Sequence, residues 1–345
     1  MKSSMGLRLS SPGDSPLFDL LAGVPAARAI GSVSHTAARH GVSALLADRL
    51  AALGQPVPDE LARDARSQVA QGLKMKRLTL QVLDALGEEG VTPILLKGFG
   101  LAVRLYPEQP LARPSSDVDV LVSKPDLTLV ERAMTRLGLS RYEDPGLADV
   151  FEEHHHISFV GAAGLVEVHF RLIATLGRGG FDDVSIHARA RDFVLEGRAA
   201  RVLDEEDEFL YLATHAANHA FLRASWLVDL QRYLARAERF DWPRMAARSR
   251  SAGFHTAVAT ALELVEQLLK VRIPDAPRRA FHLGPLRRAV DRRLFAGPLV
   301  ESAAVADHRV GAFLVRLWLV DSPLHGVRHL LDGARRFIRR NRMEG

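Results

Sequence analysis

The chain has 345 residues, 47% of them hydrophobic and 25% charged, which describes a globular protein with room for two or three domains or one large one. It has no cysteine, and this excludes disulfides, thiolate zinc sites and cysteine nucleophiles. No apolar run is long enough for a signal peptide or a bilayer span, so a cytoplasmic protein with no membrane partner is expected.

The formal net charge is +5 and the pI about 9.8, a hint of an anionic partner. Basicity is concentrated at the end: residues 271–345 carry fifteen Arg, no Lys and seven acids, a net of +8. The rest of the chain is therefore slightly acidic. An Arg-rich solvated helical surface is the plainer account of this tail, because aromatic residues for base stacking are sparse there. Contact with RNA, DNA or an acidic protein is the sharper one.

Residues 1–14, rich in Ser, Gly and Pro, are expected to be disordered. From 15 to 90 the pattern is helical. Leu17, Leu20 and Leu21 make one stripe, Ala37, Val42, Leu45, Leu46 and Leu50 another, and residues 58–90 repeat Leu and Val every three or four positions. This segment reads as an N-terminal helical subdomain that braces a catalytic sheet.

A catalytic domain is expected over residues 91–203. A short apolar strand at 93–96 runs into Lys97-Gly98, with Gly100 and a helical turn behind it. Such a corner offers free backbone N–H groups, a positive helix end and an ammonium to a phosphate. Only six of the 46 basic residues are Lys, so Lys97 is not this chain's default choice; a snorkelling strand-end Lys is the plain alternative. A Pro/Ser-rich loop with Arg113 then leads to a strand at 117–122, D-V-D-V-L-V. Asp is a poor strand former, and alternation places Asp117 and Asp119 on one face and the valines on the other. Paired carboxylates suit Mg²⁺, which completes its octahedron with waters and phosphates; two acids facing solvent are the bland alternative.

The pattern apolar-K-G, then L-Y-P, then Arg, then D-x-D-apolar-apolar-V resembles the poorly characterised fifth family of NTP transferases, within the polymerase-β-like nucleotidyltransferase superfamily. The resemblance spans roughly residues 37–234. It implies an α+β fold: a palm with a small mixed sheet, flanked by N-terminal and C-terminal helical subdomains. It implies a two-metal site of three carboxylates that uses Mg²⁺ or Mn²⁺ and transfers a nucleoside monophosphate from an NTP, ATP being the expected one. Asp117 and Asp119 take the metals, and Lys97, Gly98, Gly100 and Arg113 bind the nucleotide. The chain departs from the superfamily in replacing the usual Gly-Ser pair by Lys97-Gly98 and in the eighteen residues between Gly98 and Asp117.

Downstream, Lys124-Pro125-Asp126 opens a helix that stops at Gly138. Strands at 153–160 and 165–170 flank a Gly-bounded hairpin turn, and the second reads L-V-E-V-H-F. Glu167 stands alone among β-formers, with His169 on its face. The resemblance needs a third carboxylate on a later strand, and V-E-V-H matches that place, making Glu167 the third metal ligand and a candidate base. The run His154-His155-His156 invites metal ligation. Strand neighbours face opposite ways, however, so at most His154 and His156 act together; a strand start at the surface, or a substrate contact, is preferred.

Residues 171–203 read as irregular, with Gly177-Arg178-Gly179-Gly180 as a mobile loop and a short hairpin at Glu196-Gly197-Arg198. A C-terminal helical subdomain spans 204–345. Asp204 to Asp207 start its first helix, which carries His215 and His219 one turn apart. A zinc pair lacks a third ligand at motif spacing, so packing against the sheet is preferred. The run S-W-L-V-D-L also matches the family, and its Asp229 could orient a histidine, contact the acceptor or tie the core. Two amphipathic helices at 241–270 and a Pro-broken basic helical tail complete the chain.

The expected activity is a Mg²⁺-dependent nucleotidyltransferase acting on an acceptor hydroxyl of a small molecule, peptide, protein or RNA. The alternatives are a catalytically silent nucleotide-binding or partner-regulating protein of the same fold, and an RNA-directed enzyme of toxin-like or tRNA-modifying kind.

Overall fold

The structure, a computed structural model, describes residues 15–24, 33–142, 155–173, 179–296, 300, 309–322, 324–328 and 330–331. The readings made above for residues 1–14, for His154 and for Gly177 and Arg178 fall outside them.

The N-terminal pattern resolves into α1 (Pro16–Leu21), α2 (Ser34–Arg39), α3 (Ser43–Ala52) and the 30-residue α4 (Asp59–Glu88). Asp59 and Glu60 occupy the first turn of α4, where the helix dipole favours acids, and one stripe of Met75, Leu78, Val82 and Leu86 is buried. These helices divide between two cores. α4 packs with Val118, Val120, Val166 and Val168 of the sheet, whereas Leu17, Phe18, Leu46 and Leu50 of α1 and α3 join the core built by the C-terminal helices.

The strands β1 (Ile94–Leu95), β2 (Val118–Leu121), β3 (Ser140–Arg141), β4 (His156–Gly161), β5 (Gly164–His169), β6 (Arg191–Leu195) and β7 (Arg198–Val202) form one mixed sheet of seven, in the order β3-β4-β5-β2-β1-β7-β6. β2 is antiparallel to β1 and parallel to β5, and β1 is parallel to β7. The sheet is wider than the expected small palm. The stretch read as irregular supplies α7 (Asp183–Arg189), and the β6–β7 hairpin extends the sheet beyond β1. That hairpin turns through Glu196 and Gly197, both at positive φ, a geometry whose twist matches the strands.

α5 (Gly98–Leu105) follows β1 directly, and α6 (Leu127–Arg136), entered through a 3₁₀ turn at Lys124–Asp126, covers the crossover from β2 towards β5. Strand alternation sorts the sheet's two faces. Val118, Val120, Val166 and Val168 face α4 and α6, while Ile94 and Leu121 face the other core.

On that second side lie α8 (Glu205–Asn218), α9 (Ala224–Leu234), α10 (Trp242–Ala252), α11 (His255–Leu269), α12 (Asp275–Ala280), α13 (Pro285–Leu294) and α14 (Arg309–Trp318). Asp204 caps α8 by accepting from the Glu206 N–H at 3.1 Å. The first-turn acids Glu206, Asp207 and Glu208 are buried, each with arginine partners: Arg244 and Arg248, Arg189, and Arg104, which meets Glu208 through two bonds of 2.6 Å. Buried carboxylates need such partners, and the set ties α8 to α5, α7 and α10.

Candidate active site

β2 begins at Val118, so Asp117 sits one residue before the strand and Asp119 within it. In the parallel pairing of β2 with β5, Asp119 is the register partner of Glu167. Both project to the face covered by α8. Carboxylate oxygens of Asp119 and Glu167 and a nitrogen of His169 all lie within 4.8 Å of one another, and could hold a metal ion. His169 Nε2 is 3.1 Å from Asp119 Oδ1 and 3.6 Å from Glu167 Oε2, and His156 Nε2 is 3.7 Å from Glu167 Oε1.

Lys97 Nζ lies 2.9 Å from Asp119 Oδ1. Burial would push the ammonium down, but Asp119, with Tyr211 and Asp117, holds it well above its ordinary value. Burial likewise works against the Asp119 carboxylate, while Lys97 and His169 hold its pKa well below the usual range. Asp117 lies outside the tightest group but feels it: burial and then the Asp119 charge push its pKa up to about 6, against the pull of Lys97. A carboxyl so raised is one that a divalent cation would relieve. The other carboxylate oxygen of Asp119, Oδ2, is buried with no hydrogen-bond partner, the kind of orphan a metal would satisfy. The group of Asp119, Glu167 and His169 therefore fits a divalent ion, with the Asp117 carboxyl feeling the same charges.

The Lys97-Gly98 corner has a local cause. Gly98 sits at φ +61, and a Cβ there would lie 3.3 Å from Ser115 Oγ. Gly100 serves packing: a Cβ would meet Leu95 Cβ at 2.9 Å, so the glycine lets α5 press against β1.

Arg113 has a different setting from the expected one. The residue is 6% exposed, and Nη2 and Nε donate to Asp229 Oδ2 and Oδ1 at 2.8 and 3.0 Å. The Tyr106 hydroxyl donates to the same carboxylate at 2.7 Å. The guanidinium assigned to the triphosphate is thus committed to a buried tie between the loop before β2 and α9. Asp229 itself is fully buried, and the partners its carboxylate accepts from are Arg113 and Tyr106.

α8 supplies the opposite wall. His215 and His219 form an aromatic group with Trp226 of α9, with ring centroids 4.7–5.5 Å apart. Burial and then the Lys97 charge push the His215 pKa well down and that of His219 to about 4, so both are neutral. Tyr211 escaped the sequence reading. Its hydroxyl is buried without a hydrogen-bond partner, and it interacts with Lys97, Asp119, Glu167 and Asp117. The spacing carries a signal: Tyr211, His215 and His219 recur every four residues along one side of α8 and its C-cap. Strand alternation also excludes His155. It precedes β4 rather than belonging to it, so its ring reaches His156, with Nε2 3.2 Å from His156 Nδ1.

A family model described as uncharacterised nucleotidyltransferase matches residues 27–270. No curated protein matches the chain. Among solved structures, the solution structure of the antibiotic-resistance factor ANT(2'')-Ia is similar at 15% identity and a TM-score of 0.39, over 55% of this chain and 95% of that one.

Proposed function

Since this chain belongs to the fifth NTP-transferase family, described as uncharacterised nucleotidyltransferase, we propose that it moves a nucleoside monophosphate from an NTP, ATP by expectation, to an acceptor hydroxyl. The observation that carries the reading is the pairing of Asp119 with Glu167 on adjacent strands beneath Lys97 and α8.

Asp117, Asp119 and Glu167 would hold Mg²⁺ or Mn²⁺ through hard oxygen donors. A bound divalent ion supplies charge neutralisation at the phosphates and polarises their oxygens. The chain's own residues do the remainder. The Lys97 ammonium and the first N–H groups of α5 present positive charge to the polyphosphate. Glu167, whose pKa is lowered through its bond to His169 against the effect of burial, is ionised and accepts the proton of the attacking hydroxyl. That oxygen bonds to the α-phosphorus, the bond to the bridging oxygen breaks, and pyrophosphate leaves with its electron pair. Tyr211, His215 and His219 keep bulk water from this face.

An RNA acceptor is a second reading, favoured by the exposed Arg279, Arg292 and Arg293 on α12 and α13. Incubation with each α-labelled NTP, Mg²⁺ and a cell extract tests both. Label is expected in one acceptor fraction, and its sensitivity to ribonuclease decides the RNA reading. Glu167→Gln should lower transfer by about 100-fold or more with an unchanged circular dichroism spectrum. No labelled fraction with any NTP, or wild-type transfer by the variant, would overturn the proposal.

A further inference from the structure

A second cluster of ligands adjoins the carboxylates and is built from different chemistry. One nitrogen from each of His155, His156 and His169 lies within 4.8 Å of the other two. The rings are mutually close, with centroids 4.4, 5.2 and 5.1 Å apart for the pairs 155–156, 155–169 and 156–169. Two ligand nitrogens on one tetrahedral zinc ion are separated by about 3.3 Å, given Zn–N bonds of about 2.0–2.1 Å. His155 Nε2 and His156 Nδ1 stand 3.2 Å apart already.

The trio is held by backbone. His156 and His169 are register partners across β4 and β5, and the His155 carbonyl accepts from the Phe170 N–H at 2.9 Å. His169 is 2% exposed, and its Nδ1 is buried with no hydrogen-bond partner. An imidazole nitrogen so placed forfeits its solvation unless another ligand meets it.

The geometry points to a second cation site: His155, His156 and His169 bind a zinc-class divalent ion beside the carboxylate site, with His169 shared between the two. Ligand hardness keeps the ions apart, because imidazole suits Zn²⁺ and Co²⁺ while the carboxylates suit Mg²⁺. Three protein ligands leave a fourth position for water or an acceptor oxygen. The site stands on its own geometry and does not depend on nucleotidyl transfer.

Chelator-stripped full-length protein titrated with Co²⁺ should develop the intense visible bands of tetrahedral cobalt at one equivalent. Zn²⁺ should abolish them, and millimolar Mg²⁺ should leave them. His155→Gln and His156→Gln should each weaken Co²⁺ binding by about 100-fold, whereas Asp117→Asn should retain it. X-ray absorption of the zinc-loaded wild type needs no variant to fold: a first shell with three imidazoles supports the site. A shell with one imidazole and two carboxylates would place the ion on Asp119, Glu167 and His169 and overturn the proposal. So would the absence of tetrahedral cobalt bands, or bands unchanged in both histidine variants.

Discussion

Lys97 Nζ rests 2.9 Å from Asp119 Oδ1, so the ammonium sits against a carboxylate that the metal reading needs. Asp119 is buried and the Lys97 side chain is 12% exposed, and each relies on the other for compensation. Lys97→Met leaves the Asp119 charge with His169 alone, and should cost about 3 kcal/mol without divalent ions. Mg²⁺ then takes over the neutralisation, so its stabilising effect on thermal unfolding should be larger in the variant than in the wild type. An equal Mg²⁺-induced shift in both would rule out competition between ammonium and ion for one carboxylate.

Tyr211 separates function from stability. Its buried hydroxyl lacks a partner, so Tyr211→Phe should raise the unfolding free energy by about 1 kcal/mol. The same variant should transfer nucleotide more slowly, because the only polar atom removed faces Lys97 and Asp119. Urea unfolding and label transfer measured together check this. A destabilised variant with full activity would contradict both halves.

Arg113 and Asp229 form a buried pair, and each alone is expensive to lose. Arg113→Met and Asp229→Leu should each cost about 3–5 kcal/mol, and the double variant markedly less than their sum. A double-mutant cycle by denaturant unfolding measures this coupling. Additive losses would mean the two side chains act separately.

Glu263 gives a pH signature away from the site. Burial and then the charge of Asp291 push its pKa up to about 7, with Arg288, 3.9 Å away, pulling the other way. Because the folded value lies above the unfolded one, the folded state binds this proton more tightly. Its contribution is complete below about pH 4 and is lost as pH rises through about 7. Glu263→Gln should therefore raise the melting temperature at pH 8 and leave it unchanged at pH 4. A gain of the same size at both pH values would exclude titration of Glu263 as the cause.

What could be read in advance was local. V-D-V and V-E-V betray strands with acids on one face because alternation is a property of the backbone itself. The Lys97-Gly98 corner, the helix after Lys124 and the Glu196-Gly197 turn are legible for the same reason. The setting of a side chain among distant partners is not. Arg113 reads as a phosphate ligand until Asp229, 116 residues on, is seen to hold it. The alternation rule excludes His155, and it fails there because β4 starts one residue later. Tyr211 gains its meaning only from the docking of α8 over the acids, a relation between segments far apart in the chain.

The match of Asp119 to Glu167 is fixed by main-chain pairing between neighbouring parallel strands, and period two makes it intolerant of odd shifts. Sliding β5 by one residue would send a carboxylate into the hydrocarbon beneath α4 and bring Val166 or Val168 up to the charged side. Insertions or deletions inside these strands are thus barred by folding before chemistry is ever tested, and the Gly161–Gly164 bend is confined as well, since a Cβ on Gly164 would meet Leu78 Cδ2 at 2.9 Å.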